Sequence, residues 1–392
     1  MSFKKRSLVL PIYAPSFLLS AAEGALLPIL PISATNYGLG LAEASIVAGV
    51  MLITAMLFEI PASWITTAIG ERRAMLLATF SATFLLAFAY LNLGYWALLI
   101  AAGGFGASHA LFGLSRHSLL THMATGAKRP QAMALLGGMF RGGWAFGPVI
   151  SSGVILGLGL QAGYLTAMAM TALAGIFVLL VKAEKLASTP NGLQGNIWQV
   201  AKQEAPKLLT LGIASGIISG ARTIRLIGLP LLAVALELDA ATSSFIFGVT
   251  GLIDFALFYL SGIIMERYGK FWSSVPTLVM LGVAYLFTFL VTDLVSFWIL
   301  ASVTALANAI SAGINMVLGA DLAPEGARSE FLASFRLLTS GGSAVAPVVI
   351  SGLTALLSLP AALAITGLGN FVGAYLFWKY LPRYAPDVKK SD

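Results

Sequence analysis

The chain has 392 residues, 58% hydrophobic and 10% charged, with a formal net charge of +7. A soluble domain typically carries roughly a quarter charged residues, so this composition excludes a water-exposed globular fold and points to lipid as the solvent. There is no cysteine, which excludes disulfides and thiolate metal sites. The basic residues stand beside apolar runs rather than in one patch, which argues against nucleic acid as a partner.

A membrane-spanning helix needs about 20 mainly apolar residues. In chain order, apolar runs at 8–33, 44–68, 75–92, 96–120, 131–154 and 161–182 predict a first set of spans. The N-terminal segment is basic and then apolar, like a signal peptide. It has no small-residue cleavage site, and its apolar run continues through Glu23 to Pro31, so it reads as a retained first helix. A polar stretch from Lys182 to Lys207 follows. A second set of spans is predicted at 207–235, 242–265, 273–291, 296–319, 329–353 and 358–380. The expected fold is an all-α integral membrane protein with twelve transmembrane helices in two six-helix bundles, 1–182 and 207–392, joined by a cytoplasmic linker at 183–206.

With the N-terminus taken as cytoplasmic, the connecting segments place their Lys and Arg inside, from Lys4, Lys5 and Arg6 through Arg72 and Arg73 to Lys389 and Lys390. The predicted outer loops hold neither residue type, only Glu43, Glu237, Asp239 and Asp293. This asymmetry sets the orientation. Both termini are expected in the cytoplasm, in a multi-pass plasma membrane protein of bacterial cytoplasmic type.

A shift of 199 positions superposes Pro31 on Pro230, Gly70 on Gly269, Gly142-Gly143 on Gly341-Gly342, and Pro148 on Pro347. Gly and Pro set turns, kinks and close helix approach, so a duplicated fold retains them. An even number of spans per half makes the repeat parallel, about an axis along the membrane normal.

The loops after the second and eighth spans carry the residues of a family signature, G-x-L-x-D-R-x-G-R-R. In the second half it reads Gly262-Ile263-Ile264-Met265-Glu266-Arg267-Tyr268-Gly269-Lys270. In the first half it is Ser63 to Arg73, with Thr67 where the acid is expected, then Gly70, Glu71, Arg72 and Arg73. The chain thereby resembles the major facilitator superfamily over essentially its whole length. The resemblance implies a gate latch in these loops, in which the acid caps a helix and pairs with Arg; Thr67 retains only the capping capacity. Ala134 and the run Gly143-Trp144-Ala145-Phe146-Gly147-Pro148 are similar to that family's antiporter motif, and equally to a small-residue packing face.

Ionisable groups at membrane depth are costly and mark function. Glu23, mid-span between Ala22 and Gly24, is a candidate proton carrier, and Asp254 is a second proton site. The repeat relates Arg222 to Glu23, and the resemblance implies that these two helices line a central cavity. Arg141, Trp144, Arg222, Arg225, Asn308 and Asn315 are the candidate substrate-facing residues. The arginines either neutralise Glu23 and Asp254 or offer guanidinium forks to an anionic substrate. Arg116 and Arg336 are expected to snorkel or to join the inner gate. His109, His117 and His122 lack metal-ligand spacing, so no metal and no cofactor are expected, and no nucleotide motif precedes a helix. The expected activity is proton-coupled antiport that exports amphipathic or hydrophobic small molecules by a functional monomer. The competing reading is symport that imports an anionic metabolite. An enzyme is not expected, because no Ser/His or His/Glu cluster stands near an interface.

Overall fold

In the computed structural model the described residues are 12–123, 129–180 and 197–386. Most of the linker, and Lys4, Lys5, Arg6, Lys128, Lys182, Lys185, Lys389 and Lys390, lie outside them. The described residues are almost all helical, joined by short turns and without strands. In the first half run α1 (Ala14–Asn36), α2 (Leu41–Leu57), α3 (Glu59–Ile69), α4 (Glu71–Tyr90), α5 (Tyr95–Met123), α6 (Arg129–Leu158) and α7 (Gln161–Leu179). Two short helices follow, α8 (Ile197–Gln203) and α9 (Ala205–Lys207). The second half holds α10 (Ile213–Ala235), α11 (Ala240–Arg267), α12 (Lys270–Leu286), α13 (Leu294–Ile310), α14 (Ile314–Leu322), α15 (Arg328–Leu356) and α16 (Leu359–Tyr384).

Ten helical segments among the described residues are long and apolar enough to cross a bilayer, and α2 with α3 makes an eleventh. At 30 residues α6 is also long enough, but Arg141 and its many Gly and Ser make it more polar. Large apolar side chains stand on the outer surface, among them Phe80, Phe84, Trp96 and Leu156, which is the arrangement a lipid solvent favours.

Two predicted spans differ from single straight helices. The span at 44–68 bends by 50° between α2 and α3. Pro61 explains the break, since it lacks an N–H and its ring clashes with the carbonyl one turn earlier. The span at 296–319 is interrupted at 311–313, between α13 and α14. There the freed backbone groups find side-chain partners. Ser273 Oγ donates to the Ile310 carbonyl at 2.8 Å, Arg222 donates to the Ser311 carbonyl, and the Gly313 N–H donates to Ser261 Oγ at 3.3 Å. Broken helices persist at membrane depth only with such partners.

Contacts group the chain into two compact units, residues 1–189 with 233–255, and residues 190–232 with 256–392. In the first, α1 packs against α2, α5, α6 and α7. Gly143 and Gly147 of α6 leave room for the carbonyls of Phe17 and Ala21, which a Cβ would overlap. Hydroxyls join neighbouring helices, Thr66 to Ser115, Ser81 to Ser108 and Thr83 to Thr171, each at 2.8 Å. In the second unit the same geometry returns at the shift of 199, with Gly342 against the Gly216 carbonyl as Gly143 lies against Phe17. The Tyr285 hydroxyl donates to the Ala221 carbonyl at 3.0 Å.

Candidate functional site

Glu23 occupies an otherwise uncharged helix and is 8% exposed. Its Oε2 stands 3.4 Å from Nε2 of His109 on α5 and accepts no hydrogen bond among the described residues. The group that meets Glu23 at this distance is a histidine. His109 stacks on Phe105, with centroids 6.2 Å apart and planes 17° apart, and meets Phe140 at 6.0 Å. Arg116, seven residues along α5, lies over Phe112 and Phe140 at 5.9 and 6.0 Å. It is held among aromatic rings, and its Nε is buried. The signal for His109 was present in the sequence. The shift that relates Glu23 to Arg222 also relates His109 to Asn308 and Arg116 to Asn315.

A second site lies along α6 and the first part of α11. Arg141 Nη1 contacts both carboxylate oxygens of Asp254 at 3.4 Å. From there an antiparallel seam continues through Gly142 beside Phe255 and Gly251 beside Ala145. Trp144 meets Phe247 with ring centroids 5.2 Å apart, and Ser152 Oγ donates to the Ala241 carbonyl at 2.7 Å. Gly248 leaves space for Val149. The small residues let the helices approach closely, and the ion pair closes the seam at its end.

In the second unit Arg222 is committed to the backbone. Besides the Ser311 carbonyl it reaches Ser311 Oγ at 3.0 Å, so its charge caps the carbonyl end of α13. Arg225 is 2% exposed and acts electrostatically on Tyr285. Asn315 Nδ2 donates to Ser219 Oγ at 2.9 Å and to the Ser215 carbonyl at 3.4 Å, while the Asn308 carbonyl accepts from Ser311 Oγ.

Among the described residues, no side chain of the loop signature caps α4 or α12. The Thr67 hydroxyl donates to the Ser63 carbonyl of its own helix. Glu266 and Arg267 are exposed, and no side chain caps α12. Gly70 and Gly269 carry the turn itself, at φ +81° and +95°, where side chains are strained. Arg72 ties α4 to the end of α7 through the carbonyls of Val178 and Leu179. Glu71, buried in the first turn of α4, accepts from Ser118 at 3.0 Å. In the second unit Lys270 pairs with Asp321 at 2.8 Å. Glu59 begins α3 in an exposed position.

Comparison with known proteins follows this geometry. No curated protein sequence matches the chain. Among solved structures, it is similar to a POT family transporter in complex with a thioalcohol-conjugated peptide, at 12% identity and TM-score 0.79 over 97% of both chains. It is also similar to a bacterial homolog of the human lysosomal transporter Spinster, at 13% identity and TM-score 0.78 over the whole of both chains. A mutant of the nucleoside transporter NupG matches at 13% identity and TM-score 0.76, over 95% of this chain and 99% of that one. The family described as Major Facilitator Superfamily matches residues 15–218 and 211–392. Ionisable groups set into apolar helices, a repeat of that fold and a family match across both halves lead to one conclusion: the chain is a multi-pass membrane transporter belonging to the Major Facilitator Superfamily.

Proposed function

We propose that the protein is a proton-coupled secondary active transporter, an antiporter that exports amphipathic or hydrophobic small molecules. The observation that carries the reading is Glu23, an almost fully buried carboxylate with a histidine at 3.4 Å inside the apolar α1 environment. A charge at a helix centre costs about 2.5–3.5 kcal/mol on insertion scales. A site that binds and releases a proton gives that cost a purpose. The Gly-lined face of α6 supports the antiport reading through the resemblance of its motif. Arg141 is engaged with Asp254, which supports a charge network there rather than a free anion fork. The reading includes twelve spans in two bundles, 1–182 and 207–392, both termini in the cytoplasm of a bacterial cell, and a functional monomer.

Symport of an anionic metabolite is the second reading. It is favoured by two arginines, Arg222 and Arg225, one turn apart on α10.

In inside-out vesicles loaded with an amphipathic dye such as ethidium, an imposed proton gradient should drive dye against the proton. Glu23→Gln should abolish this movement while leaving the protein folded. Dye and protons moving the same way would sink the antiport reading, and unaltered pH-driven transport by Glu23→Gln would sink proton coupling.

A further inference from the structure

Two places for a proton stand side by side in the first unit. One is the Glu23 carboxylate and the other is the His109 imidazole, 3.4 Å apart. Phe105 and Phe140 pack on the imidazole and fix its plane, so the ring is built into the site. Arg116 shares Phe140 with it, and the charge of Glu23 acts on Arg116. Of the elements packed on α5, α3 begins with the exposed Glu59, and α4 begins with Glu71, which accepts from Ser118 of α5, followed by Arg72 and Arg73. The other elements packed on α1 bring little charge. On α2 there is only Glu43, in its first turn, and α7 carries no charged residue. On α6 there are Arg129 at its first residue and Arg141, which contacts Asp254.

Imidazole is the side chain whose ordinary titration falls between about pH 5 and 8. The geometry points to His109 as the group that bears the transported proton, at Nε2, with Glu23 as its fixed counter-ion and Arg116 as the cation that offsets Glu23 when His109 is unloaded. This rests on the proton-coupling reading above and names the atom at which the proton rides. The step balances. Nε2 takes a proton from water on one side of the membrane, the ring becomes imidazolium, and the same proton returns to water on the other side. The three groups pass from neutral to singly positive and back. The repeat shows that the fold does not itself demand this pair. At the related positions α10 and α13 carry Arg222 and Asn308, which do not titrate in this range.

The chain has three histidines, so nitrogen-labelled histidine NMR of the full chain in lipid nanodiscs resolves a small set of rings. Loss of one resonance in His109→Gln assigns it. If that variant fails to fold, His117→Gln and His122→Gln assign it by difference. Across a pH series from neutral to acid, the expected result is that the His109 ring passes from neutral to imidazolium. Glu23→Gln should then displace that transition by about tenfold in proton activity or more. A ring that keeps one charge state across the range, or a transition indifferent to Glu23→Gln, overturns the assignment. Failure of the proton-coupling reading shows elsewhere, as unaltered pH-driven dye movement in Glu23→Gln vesicles.

Discussion

Three positions related by the shift of 199 carry different chemistry in the two halves. In the first they are Glu23, His109 and Arg116, and in the second Arg222, Asn308 and Asn315. The first set contacts itself, with Glu23 at 3.4 Å from His109 and Arg116 under the same aromatic ring. The second set turns to backbone and hydroxyl groups at the break between α13 and α14. One duplicated frame therefore holds an acid, a histidine and an arginine in one half, and an arginine and two asparagines in the other. The backbones differ in the same alternating way. The first half breaks its second span at Pro61, while its counterpart α11 runs unbroken with Leu260 at that place. The second half breaks between α13 and α14, while α5 runs unbroken through Gly113. Duplication preserved the packing, and divergence moved the polar and flexible points to opposite members of each pair.

The largest expected effect breaks the comparison at its chemistry. Glu23→Gln should abolish the pH-driven movement of dye, because the first set loses its counter-ion. Arg222→Gln should slow transport yet leave its dependence on pH in place, because the second set takes up no proton in this range. Dye movement in vesicles across a series of pH values reads both. Equal loss of pH-driven movement in the two variants would erase the distinction between the halves.

The next effect concerns packing. Gly147 faces the Ala21 carbonyl so closely that a Cβ overlaps it, while at the related pair the glycine is Gly220 and its Cβ would stand 3.0 Å from the Gly342 carbonyl. Overpacking costs about 1–3 kcal/mol, and backbone carbonyls cannot turn aside as side chains do. Gly147→Ala should therefore lower the thermal midpoint clearly more than Gly220→Ala. A smaller effect is expected at the break, where Ser273→Ala removes the donor to the Ile310 carbonyl. That loss should cost about 1 kcal/mol. Pro61→Leu, which installs the residue of the other half, should straighten α2 onto α3, as a spin-label distance across the break would report.

Much of the fold was legible because lipid imposes a simple rule, long apolar helices with internally satisfied backbones. Gly70 and Gly269 stood at the turns the repeat predicted, since positive φ leaves few alternatives to glycine. The bends were less visible. Pro61 signals one, but Ser311 to Gly313 break a helix only because Ser273, Ser261 and Arg222 receive the freed groups, and those residues lie far away in sequence. The buried acids were legible by depth, and their partners were not. Glu23 and Asp254 stand out as acids in apolar runs, yet which cation meets which acid is decided by helix rotation. Arg141 goes to Asp254 and His109 to Glu23, a pairing that hydropathy does not encode.

The smallest effect tests the halves where their spans begin. Asp293 precedes α13 and forms a capping box with Ser296, accepting from its N–H at 2.7 Å and from its hydroxyl at 2.6 Å. The related residue before α5 is Gly94, at φ +106° and without a side chain to cap. The Ser296 hydroxyl and backbone N–H hold the Asp293 carboxyl below the usual carboxylate range. A carboxyl lowered by folding contributes stability that is complete above its unfolded value and is lost as pH falls through the folded one. The contribution of this cap should therefore be constant at neutral pH and fade only on acidification. Asp293→Ala should lower the thermal midpoint slightly at neutral pH and converge with the parent protein in acid, since protonation removes from the parent what the substitution has already removed. Gly94→Ala, by contrast, should lower the midpoint equally at every pH, because backbone strain does not titrate. Parallel melting curves for the two variants across pH would show that the capping box of α13 contributes nothing that its glycine counterpart lacks.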